Sequence, residues 1–329
     1  MDLGPGQNSG QKSGQNSGQN AGSRAASQDV FFSHELIRRI GAFAGRLAAA
    51  REREDVGSKR ALQGEGQEFV GHRPYRAGED LRQLDWELLA RLDRPFVRVQ
   101  RSNASEAWVV VIDTSASMGI GSPGKLQSAA ETAAASISLG LRLGAEITLV
   151  WFQPGVGLQD GGLRTLSVGR TAELQKLLIA LSGLRAHDVS SGAAVAPGGL
   201  ESHLVGEHAT VPALVRRRSG AGRVFLLGDF LDLDHDAVLR LFGGRRRVHL
   251  GQVLAPEEWN PVAAMGWVDP ETGERRAGAS ADPARLSGYR RRLEGFVEGW
   301  EALARTHGMG HAAWSSSDAF ERFLPGLLR

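Results

Sequence analysis

Three oxygen-bearing side chains stand at alternate positions directly after a strongly apolar segment. Asp113, Ser115 and Ser117 follow the apolar run 107–112, within the stretch VVVIDTSASMGIGSPGKL. Alternate residues that leave a strand project the same way, so the three side chains are expected to converge. Their oxygens are hard ligands suited to Mg²⁺, Mn²⁺ or Ca²⁺, and the chain has no cysteine to favour zinc. This oxygen row is therefore a candidate divalent-cation site.

A second acid, Asp229, follows another apolar segment in the stretch VFLLGDFLD. Helical patterns separate the apolar segments, which predicts a mostly parallel sheet with helices on both faces. In such sheets ligands bind beyond the carboxyl ends of the strands. The two acids are therefore expected at the same edge of the sheet, and Asp229 would add charge to the oxygen row.

The oxygen row allows three other interpretations. Gly119, Gly124 and Lys125 have the spacing of a phosphate-binding loop, but Leu126 stands where that loop needs a serine or threonine. The segment IDTSAS is similar to an aspartic-protease loop, yet the sequence has no second such segment to supply the paired aspartate. A polar turn in which the hydroxyls bond to the backbone is the plain structural alternative. The presence of Asp229 favours the metal site.

Composition narrows the class of protein. The 329 residues are 41% hydrophobic with a net charge of +2, which allows a sizeable core and does not point to a nucleic-acid partner. The missing cysteines exclude disulfides and thiol catalysis. No apolar run is long enough for a membrane span, and the polar residues 1–28 do not form a secretory signal. A cytoplasmic location is the expectation.

The sequence predicts three parts: a disordered tail rich in Gly, Gln, Asn and Ser at 1–28, a helix and charged segment at 29–105, and an α/β domain at 106–329. The first helix is expected to begin after Ser33 as its N-cap. Strands are expected at 107–112, 145–152, 223–227, 248–254 and 309–314, with a hairpin around 268–276. Helices are expected near 81–90, 125–143, 171–181, 200–217, 236–242, 283–307 and 318–328.

The oxygen row and the segment before it resemble a known family. D-x-S-x-S after an apolar strand is similar to the metal-ion-dependent adhesion site of von Willebrand factor A domains. The stretch YRAGEDLRQLDWELLARLDRPFVRVQ (75–100) resembles the signature of the bacterial domain-of-unknown-function family 58. That resemblance implies a Rossmann-like von Willebrand factor A-type domain, a mostly parallel sheet with helices on both faces, preceded by a smaller strand-and-turn segment.

The resemblance also implies a function and a set of site residues. It implies a non-enzymatic adaptor or co-chaperone that associates with a MoxR-type AAA+ ATPase and a client protein. It carries Asp113, Ser115, Ser117 and Asp229 over as ligands of Mg²⁺ or Mn²⁺. The threonine segment of the adhesion site has no clear match: Ser202, in GGLESHL, stands closest, and Thr210 is a weaker alternative.

The charged signature allows two interpretations. A docking surface for the ATPase would use four of its residues: Tyr75, Arg82, Asp85 and Trp86. An internal ion-pair network that anchors the segment is equally compatible, because its acids and arginines balance. The competing function class is a metal-dependent phosphohydrolase or nuclease. Against it, the sequence shows no candidate histidine or glutamate base near the two acids. A scaffold that binds no metal is the third possibility.

Overall fold

The computed structural model describes residues 29–57, 68–75, 84–101, 106–152, 162–186, 200, 204–205, 210–217, 222–241, 246–261, 266–268, 275–277 and 283–328. The predicted disordered tail at 1–28 lies outside these residues. The strands of the protein are β1 Glu68–Pro74, β2 Phe96–Arg101, β3 Ala107–Ile112, β4 Glu146–Phe152, β5 Leu163–Val168, β6 Gly222–Gly228, β7 Arg247–Leu254, β8 Gly266–Val268, β9 Arg275–Ala277 and β10 Gly310–Ser315. Its helices are α1 His34–Gly57, α2 Trp86–Leu92, α3 Lys125–Arg142, α4 Leu174–Ser182, α5 Thr210–Arg217, α6 His235–Leu239, α7 Pro256–Trp259, α8 Pro283–His307 and α9 Phe320–Leu327.

Six strands form the central sheet, in the order β10-β7-β6-β3-β4-β5. Neighbouring strands are parallel except β4 and β5, which are antiparallel. The five strands expected from the sequence are confirmed, and β5 is an additional edge strand. The predicted hairpin is also confirmed, since β8 pairs antiparallel with β9. The result is a mixed α/β protein whose mostly parallel sheet is compatible with a Rossmann-like fold.

Each face of the sheet has its own hydrophobic core. Alternate β3 residues supply both cores, because successive side chains in a strand point to opposite faces. Trp108 and Val110 pack with α1, α3, α4 and α9, whereas Val109 and Val111 pack with α5, α6 and α8. Nearly all of α3 is buried. The expectation of helices on both faces is confirmed.

The helix boundaries largely follow the sequence signals. Ser33 is the N-cap of α1, because its Oγ accepts a hydrogen bond from the Leu36 N–H at 3.1 Å. The helix expected over 200–217 is described only in part, as α5 and at Leu204, because 201–203 and 206–209 lie outside the described residues. No helix in the described ranges is both long and apolar enough to cross a membrane.

Candidate metal centre

The candidate site lies where the strand order of the sheet reverses. The chain proceeds from β3 to β4 on one side and later places β6 on the other side of β3. The carboxyl ends of the strands at such a point are the usual ligand position in open α/β sheets. Asp113 follows β3 and Asp229 follows β6, and both side chains are buried.

A tight turn brings the oxygen row together. Strand β3 ends at Ile112, and a single 3₁₀ turn spans Ala116–Gly119. The Ser115 N–H donates to Asp113 Oδ1 at 2.9 Å, and the hydroxyl oxygens of Ser115 and Ser117 are 3.0 Å apart. The convergence expected from strand alternation therefore arises from turn geometry instead. The role of these residues as metal ligands stays a prediction.

Two neighbours fix the position of this turn. The buried Thr114 hydroxyl donates to the Phe152 carbonyl at 2.7 Å, which ties the turn to the end of β4. On the other side, Gly228 leaves room for Asp113. A Cβ at position 228 would lie 2.8 Å from Asp113 Cβ and 3.0 Å from Asp113 Oδ2. The aspartate therefore packs directly over the β6 backbone.

The spacing of the two hydroxyls suits an octahedral cation. Adjacent ligands at Mg–O distances of about 2.0–2.1 Å lie roughly 2.8–3.0 Å apart. The Ser115 and Ser117 hydroxyls are hydrogen-bonded to each other at 3.0 Å, and this spacing is also compatible with two ligands of one ion. No cluster of three or more histidine, aspartate or glutamate side chains in the described part of the chain is arranged to hold a metal. Any site here therefore depends on hydroxyl ligands.

Both carboxylate oxygens of Asp229 accept hydrogen bonds. Its Oδ2 accepts from Lys125 Nζ at 2.7 Å, and its Oδ1 accepts from the Leu231 N–H at 3.2 Å. The next residue, Phe230, is buried with a φ of 63°, a left-handed conformation that bulky residues rarely adopt. Gln252 Nε2 donates to the Asp229 carbonyl at 3.2 Å, which helps to hold this strained turn.

Lys125 forms a buried charge network with two acids. Its ammonium is completely buried and lies 2.7 Å from carboxylate oxygens of both Asp229 and Glu258. Burial alone would lower the Lys125 pKa, but the two carboxylates outweigh burial and hold the pKa above its ordinary value. Lys125 is therefore charged across the physiological pH range. Burial and then the Glu258 carboxylate raise the pKa of Tyr289, which places α8 beside the network.

The predicted position of Lys125 at the start of α3 is confirmed, whereas its partner Glu258 was not predicted. That glutamate lies on α7, a four-residue helix that directly follows β7. Glu258 Oε2 also accepts from the Ala255 N–H at 2.6 Å, so it caps its own helix. Pro256 at the first helical position, followed by Glu257 and Glu258, was the available sequence signal for this helix.

The other predicted site residues lie in other elements or outside the described residues. Ser202 and Arg82 lie outside the described residues. Thr210 begins α5. Asp85 caps α2 through a 3.0 Å bond from the Leu88 N–H and contacts His72 Nε2 at 2.7 Å.

The docking residues of the signature differ in exposure. Trp86 is 62% exposed on α2, whereas Tyr75 is half-buried. Leu92, at the other end of α2, is 54% exposed. Trp86 is thus available for contact, and the use of the signature for docking stays a prediction.

Together these features define an α/β protein with acidic and hydroxyl groups at the switch point of a mostly parallel sheet. The chain belongs to the family described as "Protein of unknown function DUF58", whose profile matches residues 71–292. It is similar to the "Uncharacterized protein Rv1480" of Mycobacterium tuberculosis and to the "Uncharacterized protein Mb1516" of Mycobacterium bovis. Each is 29% identical over 243 residues, covering 70% of this chain and 68% of the relative.

Proposed function

We propose that the protein is a non-enzymatic interaction module in which Asp113, Ser115 and Ser117 bind Mg²⁺ or Mn²⁺ and present the ion to a partner. The observation that carries this proposal is the convergence of three oxygen-bearing side chains in one turn: Asp113 accepts from the Ser115 N–H, and the Ser115 and Ser117 hydroxyls are hydrogen-bonded at 3.0 Å, a spacing compatible with two ligands of one Mg²⁺. Its location at the switch point adds weight, because ligands bind there in open α/β sheets. In this proposal the domain is of the von Willebrand factor A type.

The same residues favour binding over catalysis. A metal-dependent hydrolase needs a group that accepts a proton from the attacking water. The nearby carboxylates of Asp229 and Glu258 are each bonded to the Lys125 ammonium at 2.7 Å, so both are already engaged in an ion pair. Because the protein supplies only a few ligands, coordination positions of the ion stay open. An acidic side chain of a partner is a suitable ligand for these positions.

The partner in this proposal is a MoxR-type AAA+ ATPase, with a client protein held through the metal. The support for this part is the resemblance of the 75–91 signature together with the exposed indole of Trp86. Aromatic side chains of this kind are enriched in the centres of protein interfaces. The adaptor role and the metal role are separable, since they involve different parts of the chain.

The test is a binding measurement between the purified protein and the ATPase from the same genome, with Mg²⁺ and with a chelator. Asp113→Ala should stay folded and lose the metal-dependent part of binding. Trp86→Ala should weaken binding with and without metal. Binding that survives both chelation and Asp113→Ala refutes the metal mechanism. Metal-dependent hydrolysis of a generic phosphoester, lost in Asp113→Ala, would favour an enzyme instead.

A further inference from the structure

We propose that the Lys125 ammonium occupies the cation position beside the Asp229 carboxylate, so that Asp229 does not ligate the metal. This inference rests on the proposed metal function and concerns which carboxylate takes part in it. Lys125 Nζ lies 2.7 Å from Asp229 Oδ2 and is completely buried. The ammonium thus holds the position on this carboxylate that an ion would otherwise take.

Charge repulsion opposes a metal at Asp229. An ion bound to this carboxylate would lie within a few ångströms of the ammonium. Between a divalent ion and an ammonium the repulsion is twice that between two unit charges, and water does not screen it at a buried position. The oxygen row of Asp113, Ser115 and Ser117 follows a different strand. In the proposed function the ion binds there, and Lys125 keeps both of its carboxylate partners.

Lys125 is also fixed in place, so it cannot easily withdraw to admit a metal. It is the first residue of α3, and its N–H donates to the Ile120 carbonyl at 3.0 Å. The preceding loop is anchored to β10, because the Ser316 hydroxyl donates to the Pro123 carbonyl at 2.6 Å. A cation at a helix N-terminus opposes the helix dipole, so the two carboxylates are what stabilise it there.

The formal charges predict what removal of Lys125 would do. Lys125, Asp229 and Glu258 together carry a charge of −1, and the two carboxylates alone carry −2. A divalent ion neutralises that charge. A variant without the ammonium should therefore gain a metal ligand at Asp229 and bind divalent ions more tightly.

A matched pair of double variants separates two effects of removing Lys125: the loss of the ammonium from the Asp229 carboxylate, and the change in local charge. Lys125→Met/Glu258→Gln and Lys125→Met/Asp229→Asn both keep the local charge at −1, but only the first retains the Asp229 carboxylate. Titration calorimetry with Mn²⁺ and the Mn²⁺-dependent rise in melting temperature are measured for both and for the wild type. The first variant should bind Mn²⁺ at least tenfold more tightly than the wild type, and the second should show no gain.

A single variant provides a test that leaves Lys125 in place. Asp229→Asn retains a carbonyl oxygen that can accept from the ammonium, so the fold should persist. Its Mn²⁺ affinity should match that of Glu258→Gln within about threefold, because both variants remove the same charge from the network and neither removes a metal ligand. A tenfold loss in Asp229→Asn that Glu258→Gln does not share would identify Asp229 as a metal ligand and overturn the inference.

The outcomes distinguish this inference from the proposed function. If the wild type binds Mn²⁺ and the matched variants bind equally, the inference is wrong and the metal function stands. If the wild type binds no metal but Lys125→Met/Glu258→Gln does, the proposed function fails while the account of Lys125 is supported. If no folded variant binds Mn²⁺, both are refuted.

Discussion

Protonation of His249 should destabilise the folded protein in mild acid. The imidazole is buried on β7, where Nδ1–H donates to the Leu327 carbonyl at 2.6 Å and Nε2 lies 3.4 Å from an Arg223 nitrogen. Burial lowers the His249 pKa from 6.5 to about 4. The bond to Leu327 opposes this shift, and the charges of Arg223, Arg51 and Arg247 reinforce it.

The size of the effect follows from the two pKa values. Between pH 6.5 and about 4 the unfolded chain binds the proton and the folded chain does not, so stability falls as the pH drops through this window. One pKa unit corresponds to about 1.4 kcal/mol, so protonation of His249 costs about 3 kcal/mol when complete. The loss is complete only below about pH 4.

Urea unfolding of the wild type and of His249→Asn measures this loss. The asparagine keeps a donor for the Leu327 carbonyl but does not titrate. From about pH 7 to about pH 4.5 the wild type should lose roughly 2–3 kcal/mol more unfolding free energy than the variant. The variant should also be less stable at neutral pH, because the ring stacks on Phe225 at a centroid distance of 4.7 Å. Equal losses in the two proteins would refute the reasoning.

Substitutions at three further positions test side-chain packing and the α1 cap. Gly228→Ala should lower the melting temperature and weaken Mn²⁺ binding in calorimetry, because the new methyl group would lie 2.8 Å from Asp113 Cβ; unchanged affinity would contradict this. Gly140→Ala should destabilise the fold by roughly 1–3 kcal/mol in urea unfolding despite the better helix propensity of alanine, since its Cβ would lie 2.7 Å from Trp108 Cε3; a gain in stability would show that the indole can move. Ser33→Ala should cost about 1 kcal/mol in the same assay through loss of the α1 cap, whereas Ser33→Asp should retain most of that stability.

The sequence was sufficient for the elements that carry strong local signals. The central strands β3 and β6 contain continuous apolar runs, and α8 was predicted with its boundaries, Pro283–His307, as the structure has them. The edge strand β5 was missed because half-exposed residues interrupt its apolar pattern. Its identity as a strand depends on antiparallel pairing with β4, which is a tertiary contact.

The site could be predicted only in part, because its charge network is assembled from distant segments. Asp113 and Asp229 carry a local signal, an acid directly after an apolar strand. Lys125 carries none, since its partners Asp229 and Glu258 lie 104 and 133 residues further along the chain. Nothing in the neighbouring sequence distinguishes this lysine from a solvated one. Only the packing of α3 against the sheet makes it a buried charge.

The burial of Lys125 has a practical consequence for chemical labelling. The chain carries 39 lysine and arginine residues, and only four are lysines. A compact ammonium with three donors fits between two carboxylates where a planar guanidinium would need more space. Amine-acylating reagents should therefore spare Lys125 in the native protein while they modify the exposed Lys176. The ratio of acylation at these two residues, measured by mass spectrometry, therefore reports how often the structure around Lys125 opens.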